Sequence, residues 1–140
     1  MSYAKYKDLG EKKDGQEENN DNQVYAFEIK NLQQKTEFIK NNILCVVKVW
    51  AEWCGPCKQI AGRYQKLAKQ YSKPGFCLLV KQNIEDFKDA TGNFTELKGV
   101  PIVRGVPTFQ FFLNGKYVDN IVGADLKDVE NKIKSLLQLQ

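Results

Sequence analysis

The sequence contains no histidine, and only two of its 21 cationic residues, Arg63 and Arg104, are arginines. Without histidine, a four-ligand zinc site would need all four cysteines, although only one Cys-x-x-Cys pair is present. Only the two arginines could form bidentate hydrogen bonds to the edge of a nucleic-acid base. Lysines scattered among glutamates are typical of a solvated surface. We therefore expect neither a metal site nor nucleic-acid binding.

Long apolar runs are also absent. The best candidate, residues 43–51, is much shorter than the roughly 20 residues that span a bilayer, and Lys48 interrupts it. The opening "MSYAKYKDLGEKK" lacks the apolar stretch of a secretory signal. We therefore expect no membrane association and a reducing cytoplasmic compartment, where an exposed cysteine pair is more often catalytic or metal-binding than structural.

Charge and hydrophobicity divide the chain into two parts. Residues 1–23 contain few apolar residues and carry four lysines against six acidic residues, which predicts a disordered tail. The total charge of +4 then leaves +6 on residues 24–140. With 42% hydrophobic residues overall, this remainder is predicted to form one domain around one core.

The pattern of apolar residues predicts alternating strands and helices. Residues 43–51 form a nearly continuous β-branched run, typical of a central strand covered on both faces. Near the end, Asn114-Gly115 joins two apolar segments and predicts a hairpin. The predicted order is βαβαβαββα, an α/β fold, with strands at 24–31, 43–51, 76–84, 108–113 and 116–123, and helices at 32–42, 55–73, 85–99 and from Asp125 onward.

The stretch "VVKVWAEWCGPCKQI" places two cysteines at a predicted strand-to-helix junction. A thiol attacks as its thiolate, and free N–H groups at a helix N-terminus would favour that anion at Cys54. Cys57 follows about one turn later, close enough to resolve a mixed disulfide. Pro56 is tolerated in a first turn, where N–H groups have no helical acceptor. The spacing indicates thiol–disulfide chemistry.

Together, "WAEWCGPCK", "VRGVPTFQFFLNGK" and "VGAD" resemble the thioredoxin family, over most of residues 24–139. The resemblance implies a thioredoxin fold, with a central mixed five-stranded sheet flanked by helices on both faces. It also implies that Cys54 attacks, that Cys57 resolves, and that the two cycle between dithiol and disulfide. Pro107 would be a cis-proline packed against that disulfide, although it could also be an ordinary trans turn proline.

The resemblance further implies a shallow apolar surface for a partner's extended backbone. Since a residue before proline is held extended, Val106 can offer its backbone polar groups to a peptide. Trp50 would support the site from behind or simply be a core aromatic, and Cys45 and Cys77 are interpreted as small buried hydrophobes. The implied surface consists of Trp53, Gly55, Pro56, Val106, Gly123 and Ala124.

The sequence departs from the family in two places within the domain. The connection between Asn83 and Pro107 is longer than in a minimal member, which predicts a longer third helix or exit loop. Lys48 occupies the place of the family's usual buried aspartate. Strand alternation places it on the same face as Trp50, and the family's placement of the two strands implies that Lys81 faces the same side. A buried unpaired ammonium costs several kcal/mol, so Lys48 should reach water, pair with an acid such as Glu52 or lose its proton.

The leading hypothesis is a protein-disulfide reductase of the thioredoxin type. It would act as a cytoplasmic monomer on protein disulfides without a bound cofactor, and an external disulfide reductase would supply its electrons. One alternative is a docking module with weak redox turnover because Lys48 replaces the aspartate. Another, an oxidase or isomerase of the secretory type, is disfavoured by Pro56, where secretory relatives commonly carry histidine.

Overall fold

The computed structural model describes residues 25–138, so the predicted tail, residues 1–23, lies outside the described part. A 3-10 helix at Ile84–Phe87 follows the third strand. The remaining elements, in chain order, are β1 (Phe27–Glu28), α1 (Leu32–Lys40), β2 (Leu44–Trp50), α2 (Gly55–Gln59), α3 (Ala61–Tyr71), β3 (Cys77–Asn83), β4 (Thr108–Leu113), β5 (Lys116–Val122) and α4 (Leu126–Leu137).

The five strands form one mixed sheet in the order β1-β3-β2-β4-β5. Strand β2 lies at the centre, parallel to β3 and antiparallel to β4, and every residue of β2 except Trp50 is buried. The nearly continuous apolar run at residues 43–51 therefore forms the central strand that it predicted. The predicted fold class, a mixed five-stranded sheet with helices on both faces, is confirmed.

Side-chain alternation along the strands creates a separate core on each face of the sheet. The first core contains α1 residues and both cysteines of the Cys-x-x-Cys pair, together with Cys45. The second core contains residues of α3 and α4, together with Cys77. Cys45 and Cys77 are free thiols, buried as the sequence predicted, and they lie on opposite faces of the sheet.

Polar caps define where the helices begin. Asn31 Oδ1 accepts a hydrogen bond from the Gln34 N–H at 2.8 Å, and Asp125 caps α4 as predicted. The predicted helix 55–73 is divided into α2 and α3 at Ile60. Within residues 25–138, no helix is both long and apolar enough to cross a bilayer.

The prediction of a helix over residues 85–99 is wrong beyond the 3-10 helix. The Asp89 side chain accepts hydrogen bonds from the N–H groups of Thr91 and Asn93 at 2.9 and 3.0 Å, which forms a local turn in place of a helix. Gly92 and Gly99 both have a φ of +87°, which ends helical geometry at each. Residues 88–107 thus form an irregular connecting segment between the 3-10 helix and β4.

A buried ion pair fastens this connecting segment to the rest of the domain. The Lys35 side chain, on α1, is fully buried, and its Nζ lies 2.7 Å from Glu96 Oε1. Lys35 Nζ also donates to the side-chain oxygens of Gln82 and Gln110, each at 2.7 Å. Gln110 Nε2 in turn donates to Glu96 Oε2 at 2.9 Å. One cation therefore joins α1, β3, β4 and the connecting segment.

Candidate active site

Cys54 and Cys57 form a disulfide at the junction between β2 and α2, with their Cα atoms 5.3 Å apart. Cys54 is the N-cap residue of α2, and the Cys57 N–H lies 3.1 Å from Cys54 Sγ. Pro56 lies in the first turn, as predicted. The local structure thus directs a backbone N–H toward the first sulfur, which favours negative charge on that sulfur when the pair is reduced.

The two cysteines differ in exposure. Cys57 is fully buried, whereas Cys54 is 4% exposed, so the first cysteine is much less exposed than the sequence pattern suggested. Trp53, at 67% exposed, stands beside it. Of the two cysteines, only Cys54 presents any surface.

Val106, the residue before Pro107, lies against the disulfide. Cys54 Sγ is 3.6 Å from the Val106 carbonyl oxygen, and the Val106–Pro107 peptide bond is cis. The Gly123 N–H donates to the Pro107 carbonyl at 2.8 Å, which brings the end of β5 to the same place. Ala124 follows Gly123 and packs, partly buried, against the second core.

The remaining predicted surface residues lie on the cysteine turn itself. Gly55 and Pro56 are both exposed. The Trp53 indole Nε1 donates to Glu85 Oε2 at 3.1 Å, which fixes this exposed ring above the 3-10 helix. Trp50 is half-buried behind the turn, which fits both its predicted supporting role and a core role.

Lys48 is buried beneath the second cysteine. Its Nζ donates to the Cys57 carbonyl oxygen at 3.2 Å, and Lys81 is its register partner on β3. Burial, together with the charge of Lys81, lowers the pKa of Lys48 to about 8, and Glu28 acts in the opposite direction. Lys48 and Lys81 therefore lie on the same face of the sheet, as expected.

Of the alternatives for Lys48, pairing with Glu52 is wrong, and so is reaching water, because Lys48 is 2% exposed. Glu52 instead lies 3.5 Å from Lys58, and both side chains are more than half exposed. Glu52 precedes the cysteine turn, where its side chain remains in solvent, whereas Lys48 extends beneath Cys57. The buried ammonium is therefore satisfied by a backbone carbonyl and not by the nearest carboxylate in sequence.

Sequence reasoning missed Glu28, the carboxylate that does lie near these lysines. Its oxygens accept hydrogen bonds from the Trp50 indole at 3.3 Å and the Asn83 N–H at 2.9 Å, and one lies 3.8 Å from Lys81 Nζ. Burial raises the pKa of Glu28, and Lys81 opposes that shift. An acid between apolar residues in "AFEIK" was the available signal, but only the β1–β3 register places it opposite Lys81.

The thioredoxin family profile matches residues 26–135 of this chain. Thioredoxin 1 of Plasmodium falciparum is 31% identical over 113 residues, which cover 79% of this chain and 95% of that protein. Thioredoxin-like protein 1 of Schizosaccharomyces pombe is 31% identical over 108 residues, but the match spans only 34% of its length. A solved structure of Schistosoma mansoni thioredoxin has a TM-score of 0.63 and 30% identity, covering 79% of this chain and 94% of that chain.

The chain belongs to the thioredoxin family. Its fold, its Cys54–Cys57 disulfide and these relatives define a thiol–disulfide oxidoreductase domain, as the resemblance of "WAEWCGPCK" implied. The relatives do not favour the alternative of a docking module. Among residues 25–138, no three side chains of metal-ligating type converge on one point.

Proposed function

We propose that the domain reduces protein disulfides, with Cys54 as the attacking thiol and Cys57 as the resolving thiol. The observation that carries this assignment is the asymmetry of the pair. Cys54 has the exposed area and receives the Cys57 N–H, whereas Cys57 is fully buried. A hydrogen bond to a thiolate stabilises its negative charge, so Cys54 is proposed to be the better nucleophile of the two.

The reaction is a two-electron exchange in two steps. The Cys54 thiolate attacks one sulfur of the substrate disulfide, which forms a mixed disulfide and releases the first substrate thiolate. Cys57 then loses its proton and attacks Cys54 Sγ, which forms the Cys54–Cys57 disulfide and releases the second substrate thiolate. Both released thiolates take up protons.

The surface around Cys54 is proposed to hold the substrate backbone. Val106 is the central residue, because its carbonyl lies 3.6 Å from Cys54 Sγ. Pro107 fixes the turn that presents it, and Trp53 supplies apolar area beside the sulfur. Gly55, Pro56, Gly123 and Ala124, which carry little side-chain bulk, leave room for an extended chain.

Lys48 is proposed to tune the second step. A positive charge next to Cys57 favours thiolate over both thiol and disulfide, so it stabilises the reduced pair. When Lys48 is neutral, its amine could instead accept the Cys57 proton as a general base, in place of the family's aspartate. Its pKa of about 8 makes both forms accessible in the physiological range.

Regeneration of the dithiol requires two electrons from outside the domain. We propose an external disulfide reductase as their source, with the domain acting as a monomer in the cytoplasm. Residues 1–23 are proposed to be a tail outside the redox domain.

Mixed-disulfide trapping tests the cysteine roles. Cys57→Ser should retain attack by Cys54 but lose release, so substrates accumulate as covalent adducts visible on non-reducing gels. Cys54→Ser should form few adducts. If Cys54→Ser captures as much substrate as Cys57→Ser, the two roles are reversed.

A further inference from the structure

A groove of about 300 Å³ lies between the connecting segment and β5, beside the Val106–Pro107 turn. Its walls combine apolar residues with a small number of polar groups, a composition suited to an extended peptide. The connecting segment contributes Pro101, Ile102 and Arg104 to one wall, and β5 contributes Tyr117, Asn120 and Val122 to the other.

We propose that this groove binds an acidic segment of the substrate next to its reacting disulfide, with Arg104 pairing with a carboxylate of that segment. The proposal rests on the proposed reductase function and adds a substrate class to it. Its occupant is an extended polypeptide that carries glutamate or aspartate within a few residues of the attacked cysteine.

The groove lies beside the reaction site. Gly105 and Thr108, which flank Val106 and Pro107, both line it, and the Val106 carbonyl lies 3.6 Å from Cys54 Sγ. Arg104 is two residues before Val106, on the groove side of the bend at residues 105–107. A substrate held at the Val106 backbone for attack by Cys54 therefore lies at the mouth of the groove.

The positive charge of Arg104 indicates which kind of peptide the groove binds. Arg104 is exposed and is the one charged residue among those that line the groove within residues 25–138. It forms no ion pair with any carboxylate of this described range, so its guanidinium is available for a forked bond to a substrate carboxylate. The exposed Ile102 and Val122 provide apolar contact on either side of that charge.

The groove wall is held in place before a substrate arrives. Gln110, which forms part of the groove lining, hydrogen-bonds to both Lys35 and Glu96. Upstream, the Thr95 N–H and hydroxyl both donate to the Phe87 carbonyl, at 2.7 and 2.6 Å. A preformed wall lowers the entropy cost of binding a flexible peptide.

The test compares single-turnover reduction of three symmetrical peptide disulfides that differ only in the residues flanking cysteine, which are glutamate, glutamine or lysine. At low ionic strength the wild-type dithiol should reduce the glutamate peptide fastest. Arg104→Gln should lower the glutamate-to-lysine rate ratio by about fivefold, the upper value for an exposed ion pair. Arg104→Lys should restore part of the preference.

Arg63→Gln is the matched control, because it removes the same charge from an exposed site on α3 and leaves the groove unchanged. It should keep the wild-type ratio. Equal losses in Arg63→Gln and Arg104→Gln would overturn the inference in favour of the overall positive field, and equal wild-type rates for all three peptides would overturn it too. If the wild-type protein reduces none of them, the proposed function itself fails.

Discussion

At the scale of single residues, Lys48 is the most consequential departure from the family. Its amine lies under the Cys57 backbone with another lysine as its strand neighbour, and it is 2% exposed. The protein therefore maintains a cation where its own fold disfavours charge. Both the stability of the domain and the potential of the cysteine pair should depend on that cation.

Lys48→Met should stabilise the oxidised protein near pH 7, and the gain should shrink as pH rises. The folded pKa of Lys48 is lowered to about 8 from an ordinary value of 10.5. Between those pH values the unfolded chain binds more protons, so wild-type stability rises with pH, whereas below pH 8 the full penalty remains. This penalty is expected to be at most about 3 kcal/mol. Urea unfolding of both proteins at several pH values from 7 to 10 measures it.

Lys66→Met, at an exposed position on α3, is the control and should show no such pH dependence. A stability difference between wild type and Lys48→Met that stays constant across this range would contradict a buried, titrating amine.

Lys48→Asp should make the Cys54/Cys57 pair more reducing. Replacing a cation that stabilises thiolate with an anion destabilises the reduced form, so the reduction potential should fall by about 30 mV for each 1.4 kcal/mol of lost stabilisation. Equilibration with a glutathione buffer measures the change. An unchanged potential and an unchanged rate of disulfide reduction would mean that Lys48 does not influence the sulfurs.

At the scale of structural elements, the buried Lys35–Glu96 pair fastens the connecting segment to α1. Removing one partner of a buried pair leaves the other charge uncompensated, which is far more costly than losing a surface pair. The position of the connecting segment beside the disulfide therefore depends on one carboxylate.

Glu96→Gln should destabilise the domain by about 3 kcal/mol, because the Lys35 ammonium keeps its hydrogen bonds but loses its counter-charge. Glu52→Gln is the same substitution in the exposed pair with Lys58 and should cost less than about 1 kcal/mol. Urea unfolding of both variants gives the comparison. Similar losses at the two positions would show that the buried pair contributes no more than the exposed one.

The sequence predicted regular elements where periodicity or capping was strong. The nearly continuous apolar run of β2, the Asn114-Gly115 hairpin and the Asp125 cap were all recognisable locally. The predicted helix at 85–99 was wrong because the spacing of Phe87, Ala90, Phe94 and Leu97 matched a helix while Asp89 and two glycines favoured turns. Local side-chain hydrogen bonds prevailed over periodicity there.

The part of the candidate site that lies within one short sequence motif was predictable from the sequence. Cys54 and Cys57 are only three positions apart in sequence and follow a recognisable strand. Glu28, by contrast, meets Trp50, Lys81 and Asn83 only through strand register, which no single segment specifies. Lys35 and Glu96 likewise lie on segments whose contact depends on the whole fold.

At the scale of the whole molecule, the sheet separates the four cysteines into different environments. Cys45 is fully buried in the core that also contains the redox pair, and Cys77 is fully buried in the opposite core. Burial raises the pKa of both thiols, that of Cys77 to about 12. Neither thiol is a nucleophile at neutral pH while the domain is folded.

Brief alkylation of the reduced, folded protein should therefore modify Cys54 and leave Cys45 and Cys77 intact, and unfolding in urea should expose both. Peptide mass spectrometry identifies the modified residues, and the oxidised protein should show no link between Cys45 and Cys77. Labelling of either spare thiol as fast as Cys54 would mean that the sheet does not protect it.

The Lys35–Glu96 pair also has an evolutionary consequence. A fully buried lysine is tolerated at position 35 because the connecting segment delivers a carboxylate to it from 61 residues away. A homologue with a shorter connection between its third and fourth strands would have no group to place there, and an ammonium would be stranded. Positions 35 and 96 should therefore covary among homologues, with an apolar residue in place of the lysine wherever the connecting segment is short.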